Sequence, residues 1–183
     1  DVEVFFMKRK EKRILRKTVK FIRNEPITEK EKESRIKKIT EILEITDRNE
    51  KYSRLYDELC DYLDNKCHEY NLCKFKDGIC EKRRCVCKKD VPIYPNGCCY
   101  STTQHENCKY LTDKGCSIRN VACKLFICGY IRKTRKVKFS LNKIYLSKYT
   151  LNFSQRLYLS ITYFTTKEVL IKGLLKRRGL YGI

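Results

Sequence analysis

The chain has 183 residues, with 42 Lys and Arg against 22 Asp and Glu, a formal net charge of +20. All twelve cysteines lie between Cys60 and Cys128, while residues 1–23 carry +6, residues 24–128 only +2 and residues 129–183 +12. A 42% hydrophobic content excludes a disordered chain, seven Gly and three Pro argue against a loop-rich all-β protein, and no apolar run reaches the roughly 18–20 residues that span a bilayer.

In chain order, Leu15, Val19 and Ile22, with Ile14, Thr18 and Phe21 beside them, have the spacing of a basic amphipathic helix that Asn24 and Pro26 stop. Met7 is the expected native start. The stretch after it is basic but broken by charge, so no secretory signal is expected and the cytoplasm is the expected location. Thr28 with Glu31 reads as a capping box for a second helix through Ile36, Ile39, Ile42 and Leu43. Asp47 with Glu50 opens a third through Tyr52, Leu55, Leu59 and Leu63, and places Cys60 and Cys67 two turns apart on one face.

From Leu72 to Cys116 the periodicity fails, and Lys76-Asp77-Gly78, Pro95-Asn96-Gly97 and Lys114-Gly115 supply turn chemistry. A helix is expected again over Ser117–Tyr130, carrying Cys123 and Cys128. Another starts at Asn152 with Gln155 and presents Leu157, Ile161 and Phe164. The last starts at Thr165 with Glu168 and presents Val169, Leu170 and Leu174. The expected fold class is mainly α, with helices flanking an irregular, cysteine-rich, metal-organised insert. The expected division is residues 1–71 (N-terminal amphipathic helices), 72–130 (metal-binding region) and 131–183 (basic C-terminal helices).

No C-x2-C occurs, which removes the usual zinc-ribbon, ferredoxin and thioredoxin-type signatures. Cys85-Val86-Cys87 and the vicinal Cys98-Cys99 cannot easily close on themselves as disulfides, so each suits a ligand pair or two bonds to distant partners. Twelve is also the even number that a disulfide framework needs, which would make the chain a secreted disulfide-rich interaction protein. Small buried hydrophobes account for an isolated Cys60 or Cys67, but not for twelve thiols in one window. Ligation of a soft metal fits an irregular loop that gathers thiolates.

The segments Gly97-Cys98-Cys99, Asn107-Cys108-Lys109-Tyr110-Leu111, Lys114-Gly115-Cys116-Ser117-Ile118 and Ala122-Cys123-Lys124-Leu125-Phe126-Ile127-Cys128 resemble a bacterial cysteine-cluster family described as zinc- or iron-chelating, the CxxCxxCC type. The resemblance covers Cys85 to Cys128. It departs from the family's pattern at Cys85-Val86-Cys87, which stands eleven positions ahead of Cys98-Cys99. It implies a metal or iron–sulfur centre held by Cys85, Cys87, Cys98, Cys99, Cys108, Cys116, Cys123 and Cys128. By their own spacing, Cys60, Cys67, Cys73 and Cys80 could form a second four-thiolate site. The scarcity of histidine, with only His68 and His105 present, favours an iron–sulfur cluster slightly over zinc.

Residues 129–183 hold thirteen Lys and Arg against one acid, Glu168. The clusters Arg132, Lys133, Arg135, Lys136, Lys138 and Lys176, Arg177, Arg178 are the expected nucleic-acid contacts. Tyr130, Tyr145, Tyr149, Tyr158 and Tyr163 are interleaved to stack bases. An anionic membrane surface or an acidic protein partner are the rival polyanions, the latter suiting a redox or metal-handling protein. No phosphate-cradling loop, His-rich metal pattern or Ser/His/Asp arrangement occurs. Any catalysis is therefore expected only as redox chemistry of a cluster.

Overall fold

Helix α1 (Arg9–Arg23) buries Ile14, Thr18 and Ile22, a stripe with i, i+4, i+8 spacing. Thr18 can stand in that stripe because its hydroxyl donates to the Ile14 carbonyl (3.0 Å). Leu15 and Val19, expected at its centre, are only half-buried. These helices come from a computed structural model, which describes residues 7–74, 110–112 and 115–177. Among those residues the chain is mainly helical, as the apolar periodicity predicts.

Helix α2 (Glu29–Glu44) starts where Thr28 Oγ1 accepts from the Glu31 N–H (3.3 Å). Only this half of the expected capping box forms, because the Glu31 carboxylate turns to Arg35 (2.5 Å). Helix α3 (Arg48–Glu69) is capped as expected, with Asp47 Oδ1 accepting from the Glu50 N–H (2.8 Å). Its apolar stripe Tyr52, Leu55, Leu59 and Leu63 is buried. Each such aliphatic side chain contributes about 1.5–3 kcal/mol by leaving water.

The chain divides into two compact units, Asp1–Leu59 with Ser140–Ile183, and Cys60–Phe139. In the first, α1 packs on α2, and Lys51 of α3 reaches both. Its buried ammonium pairs with Glu11 of α1 and donates to the Leu43 carbonyl of α2 (2.9 Å). A 3₁₀ turn (Leu141–Lys143) and helix α6 (Tyr145–Lys148) form where the sequence shows no helical period. They bury Leu141, Ile144, Tyr145 and Leu146, and are closed locally by Ser147 Oγ donating to the Leu141 carbonyl (2.7 Å). Helix α7 (Phe153–Ile161) has the full Asn152/Gln155 capping box, and helix α8 (Lys167–Lys176) follows it. The two pack through Tyr158 against Gly173, where an added Cβ would collide with the Tyr158 ring and hydroxyl.

In the unit Cys60–Phe139, a two-residue antiparallel ladder joins Leu111–Thr112 to Gly115–Cys116. The single helix expected over residues 117–130 is instead two. Helix α4 (Val121–Leu125) starts late because Asn120 is extended and its side chain accepts from the Cys123 N–H (3.1 Å). Helix α5 (Gly129–Arg135) starts after extended Cys128. The buried apolar residues described in this unit are Cys60, Leu63, Leu72, Ile118, Val121, Ala122 and Ile131. No described helix is long and apolar enough to cross a membrane.

Candidate metal centre and cationic surfaces

All twelve cysteines fall in the unit Cys60–Phe139 and none in the other. Cys80, Cys85, Cys87, Cys98, Cys99 and Cys108 lie outside the described residues, as does His105. Cys60 is fully buried on α3, Cys67 is half-buried two turns further on, and Cys73 is half-buried just past the helix end. Cys116 is exposed at the end of the ladder, and Cys123 on α4 and Cys128 before α5 are half-buried. Cys67 and Cys128 are free thiols.

Two ion pairs hold the second group of cysteines against the C-terminal half of α3. Asp61 pairs with Arg119 (2.7 Å), and Asp64 pairs with the largely buried Lys124. Further along, the Arg135 guanidinium donates to the Asn71 carbonyl (3.0 Å), and Tyr70 stacks on Phe139 with ring centroids 6.3 Å apart. Asp64 is three residues before Cys67, and therefore on its face of α3. Cys67 is thereby within electrostatic reach of Asp64, Lys124 and Cys116.

Burial raises the Cys67 thiol pKa to about 11, the Asp64 carboxylate and Cys116 add to the rise, and Lys124 opposes it. Cys67 is therefore protonated at neutral pH, and a thiophilic metal arriving there would displace the proton. With the folded pKa above the ordinary thiol value of 9.0, its contribution to stability is complete below about pH 9 and is lost as the pH rises through about 11. Among the described residues, no three His, Cys, Asp or Glu side chains are grouped as a metal requires. His68 is exposed.

The expected cationic contacts separate into two kinds. Arg132, Lys133, Lys136 and Lys138 are exposed on and after α5, with Ile131 buried beneath them, and Lys176 is exposed on α8. Arg135 and Arg177 are turned to internal partners. Arg177 stacks over the Tyr158 ring (3.8 Å) and donates to the Gly173 carbonyl (2.9 Å). Arg178 lies outside the described residues, as do the side chain of Tyr130 and any contacts it makes. Of the tyrosines read as stacking platforms, Tyr145 is buried under Arg35 (5.3 Å) and Tyr149 meets Phe21 edge-on (6.3 Å). These rings are structural, Tyr145 turned inward on α6 and Tyr149 half-buried just past its end.

A second cationic surface lies on the basic N-terminal helix, the other basic arm expected to meet a polyanion. Lys8, Arg9, Lys10, Arg13, Arg16, Lys17, Lys20 and Arg23 are exposed on and beside α1, while its only acid, Glu11, turns inward to Lys51. Lys10 is held below the ordinary lysine range, first by partial burial and then by the like charges of Arg48 and Arg13. The +6 of residues 1–23 was the available signal. Comparison with family models, curated proteins and solved structures finds no match to this chain.

Proposed function

We propose that this is a cytoplasmic metal-binding protein whose cysteines ligate an iron–sulfur cluster or zinc, and whose basic surfaces bind nucleic acid. The observation that carries the first half is the coincidence of every cysteine with one compact unit, Cys60–Phe139. The other unit has an ordinary apolar core and no thiol. A metal would supply the Cys60–Phe139 unit with cross-links that its few described buried aliphatics do not. Under this reading Cys85, Cys87, Cys98, Cys99, Cys108, Cys116, Cys123 and Cys128 form the principal ligand set, and Cys60, Cys67, Cys73 and Cys80 supply any second centre.

The second half is supported by the exposed cations of α1 and of Arg132–Lys138, which have almost no acids among them. Cations that neutralise phosphates release counterions, so affinity falls steeply with salt. The quadruple variant Arg132→Gln/Lys133→Gln/Lys136→Gln/Lys138→Gln should weaken binding to a single-stranded oligonucleotide. Its slope of log affinity against log salt should flatten by about 2–3 units, at about 0.7 for each phosphate no longer neutralised. Fluorescence anisotropy across a salt series measures this. An unchanged slope in the variant would remove α5 from the interface, and absence of salt-dependent binding by the native chain would remove nucleic acid.

A further inference from the structure

Helix α7 is packed the wrong way round for an ordinary amphipathic helix. Its buried face is Gln155 and Leu159, at 0% and 1% exposure. Its outward face is Phe153, Leu157 and Ile161, at 71%, 49% and 61%. Their i, i+4, i+8 spacing makes them one continuous stripe along the helix. Val169 at the start of α8 is a further exposed apolar residue (52%), and its carbonyl accepts from the hydroxyl of Tyr158, which follows Leu157 in α7 (3.4 Å). In the connection between the two helices Phe164 is 42% exposed and held at φ 55, a left-handed backbone that an aromatic residue seldom adopts. Contiguous exposed apolar surface of this kind marks an interaction site.

The surroundings of the stripe identify its occupant. On the outer face of α8, Val169 shares its side with exposed Lys172 and Lys176. Arg177 lies over Tyr158, the residue next to Leu157 in sequence. Across residues 129–183 the single acid is Glu168. A second copy of the chain would bring this positive field against itself. Nucleic acid would supply the negative charge and a base could stack on Phe153 or Phe164, but the aliphatic Leu157, Ile161 and Val169 that make up the rest of the patch have no π face. An anionic bilayer meets both requirements. Its acyl boundary takes the apolar stripe and its headgroups meet the lysines, which is the chemistry of an interfacial helix lying in the membrane plane.

We infer that the α7 stripe, with Lys172 and Lys176 of α8 beside it, docks the protein on an anionic lipid surface. This surface is independent of the cysteines and stands whether or not they hold a metal.

The chain contains no tryptophan, so Phe153→Trp in the full chain places a single indole reporter on the stripe. Its emission should shift to the blue, with shielding from a soluble quencher, on addition of phosphatidylcholine vesicles containing phosphatidylglycerol, and not with phosphatidylcholine alone. In flotation assays, Phe153→Ser/Leu157→Ser/Ile161→Ser should lower partitioning onto the anionic vesicles by about tenfold or more. Because the three side chains are exposed, its helical circular dichroism and melting temperature should match the native chain. The inference is overturned if the indole does not shift, or if the triple variant floats as well as the native chain. It is overturned equally if the triple variant loses a dimer seen by light scattering, or oligonucleotide affinity, while keeping its vesicle binding.

Discussion

Replacing Lys51 with methionine is expected to destabilise the unit Asp1–Leu59 with Ser140–Ile183 by about 3 kcal/mol, the low end for breaking a buried ion pair. The low end applies because Glu11 retains a second partner, the Lys8 N–H (2.9 Å), and some access to water. The Lys51 ammonium is the joint of three helices. It emerges from α3, pairs with the carboxylate that caps α1, and donates to a carbonyl in the last turn of α2. Methionine fills similar volume but leaves the Leu43 carbonyl and the Glu11 carboxylate without that donor. Chemical denaturation followed by the helical signal checks this. A loss below about 1 kcal/mol would mean that the three-way joint does not operate in solution.

Gln155→Leu is expected to cost about 2–4 kcal/mol in the same unit, through unmade hydrogen bonds rather than lost volume. The Gln155 side-chain amide donates to the Tyr52 hydroxyl (2.7 Å) and to the Leu174 carbonyl (3.1 Å). Its oxygen accepts from the Asn152 N–H (2.9 Å). One buried side chain thus caps α7 and ties it to α3 and α8. Tyr52→Phe removes one of these bonds and should cost about 1 kcal/mol. If Gln155→Leu is neutral or stabilising, the burial of α7 by its polar face is wrong, and with it the exposure of Phe153, Leu157 and Ile161.

That inversion marks where sequence patterning stopped being informative. Apolar residues at i, i+4 and i+8 are ordinarily read as the buried side, and here they are the outward one. A glutamine with its bonds satisfied can occupy a core position, and periodicity alone does not distinguish that case. The start of α7 was legible for the opposite reason, because an Asn152 side chain reaching the Gln155 N–H is local chemistry. The same holds for Thr28 and Asp47, whose helices start as expected.

Long-range partners were not legible. Asp64 and Lys124 are 60 residues apart and Asp61 and Arg119 58 apart, and nothing in either local pattern assigns the pairs. Those pairs tie the segment after Cys116 to the helix that carries Cys67. The cysteine window itself was plain in the sequence, and its limits match the unit Cys60–Phe139 closely. The charge of residues 129–183 was equally plain, but its division between exposed Lys136 and inward Arg177 depends on where Tyr158 packs.

The metal content of the full chain, purified without oxygen or chelator, tests the central proposal most directly. The account predicts metal in stoichiometric amount, either iron with sulfide and visible absorption at about 400 nm, or zinc in a colourless protein, with thiols that react only after the metal is removed. A metal-free chain would contradict it, whether its cysteines titrate as twelve reactive thiols or prove fully paired as disulfides.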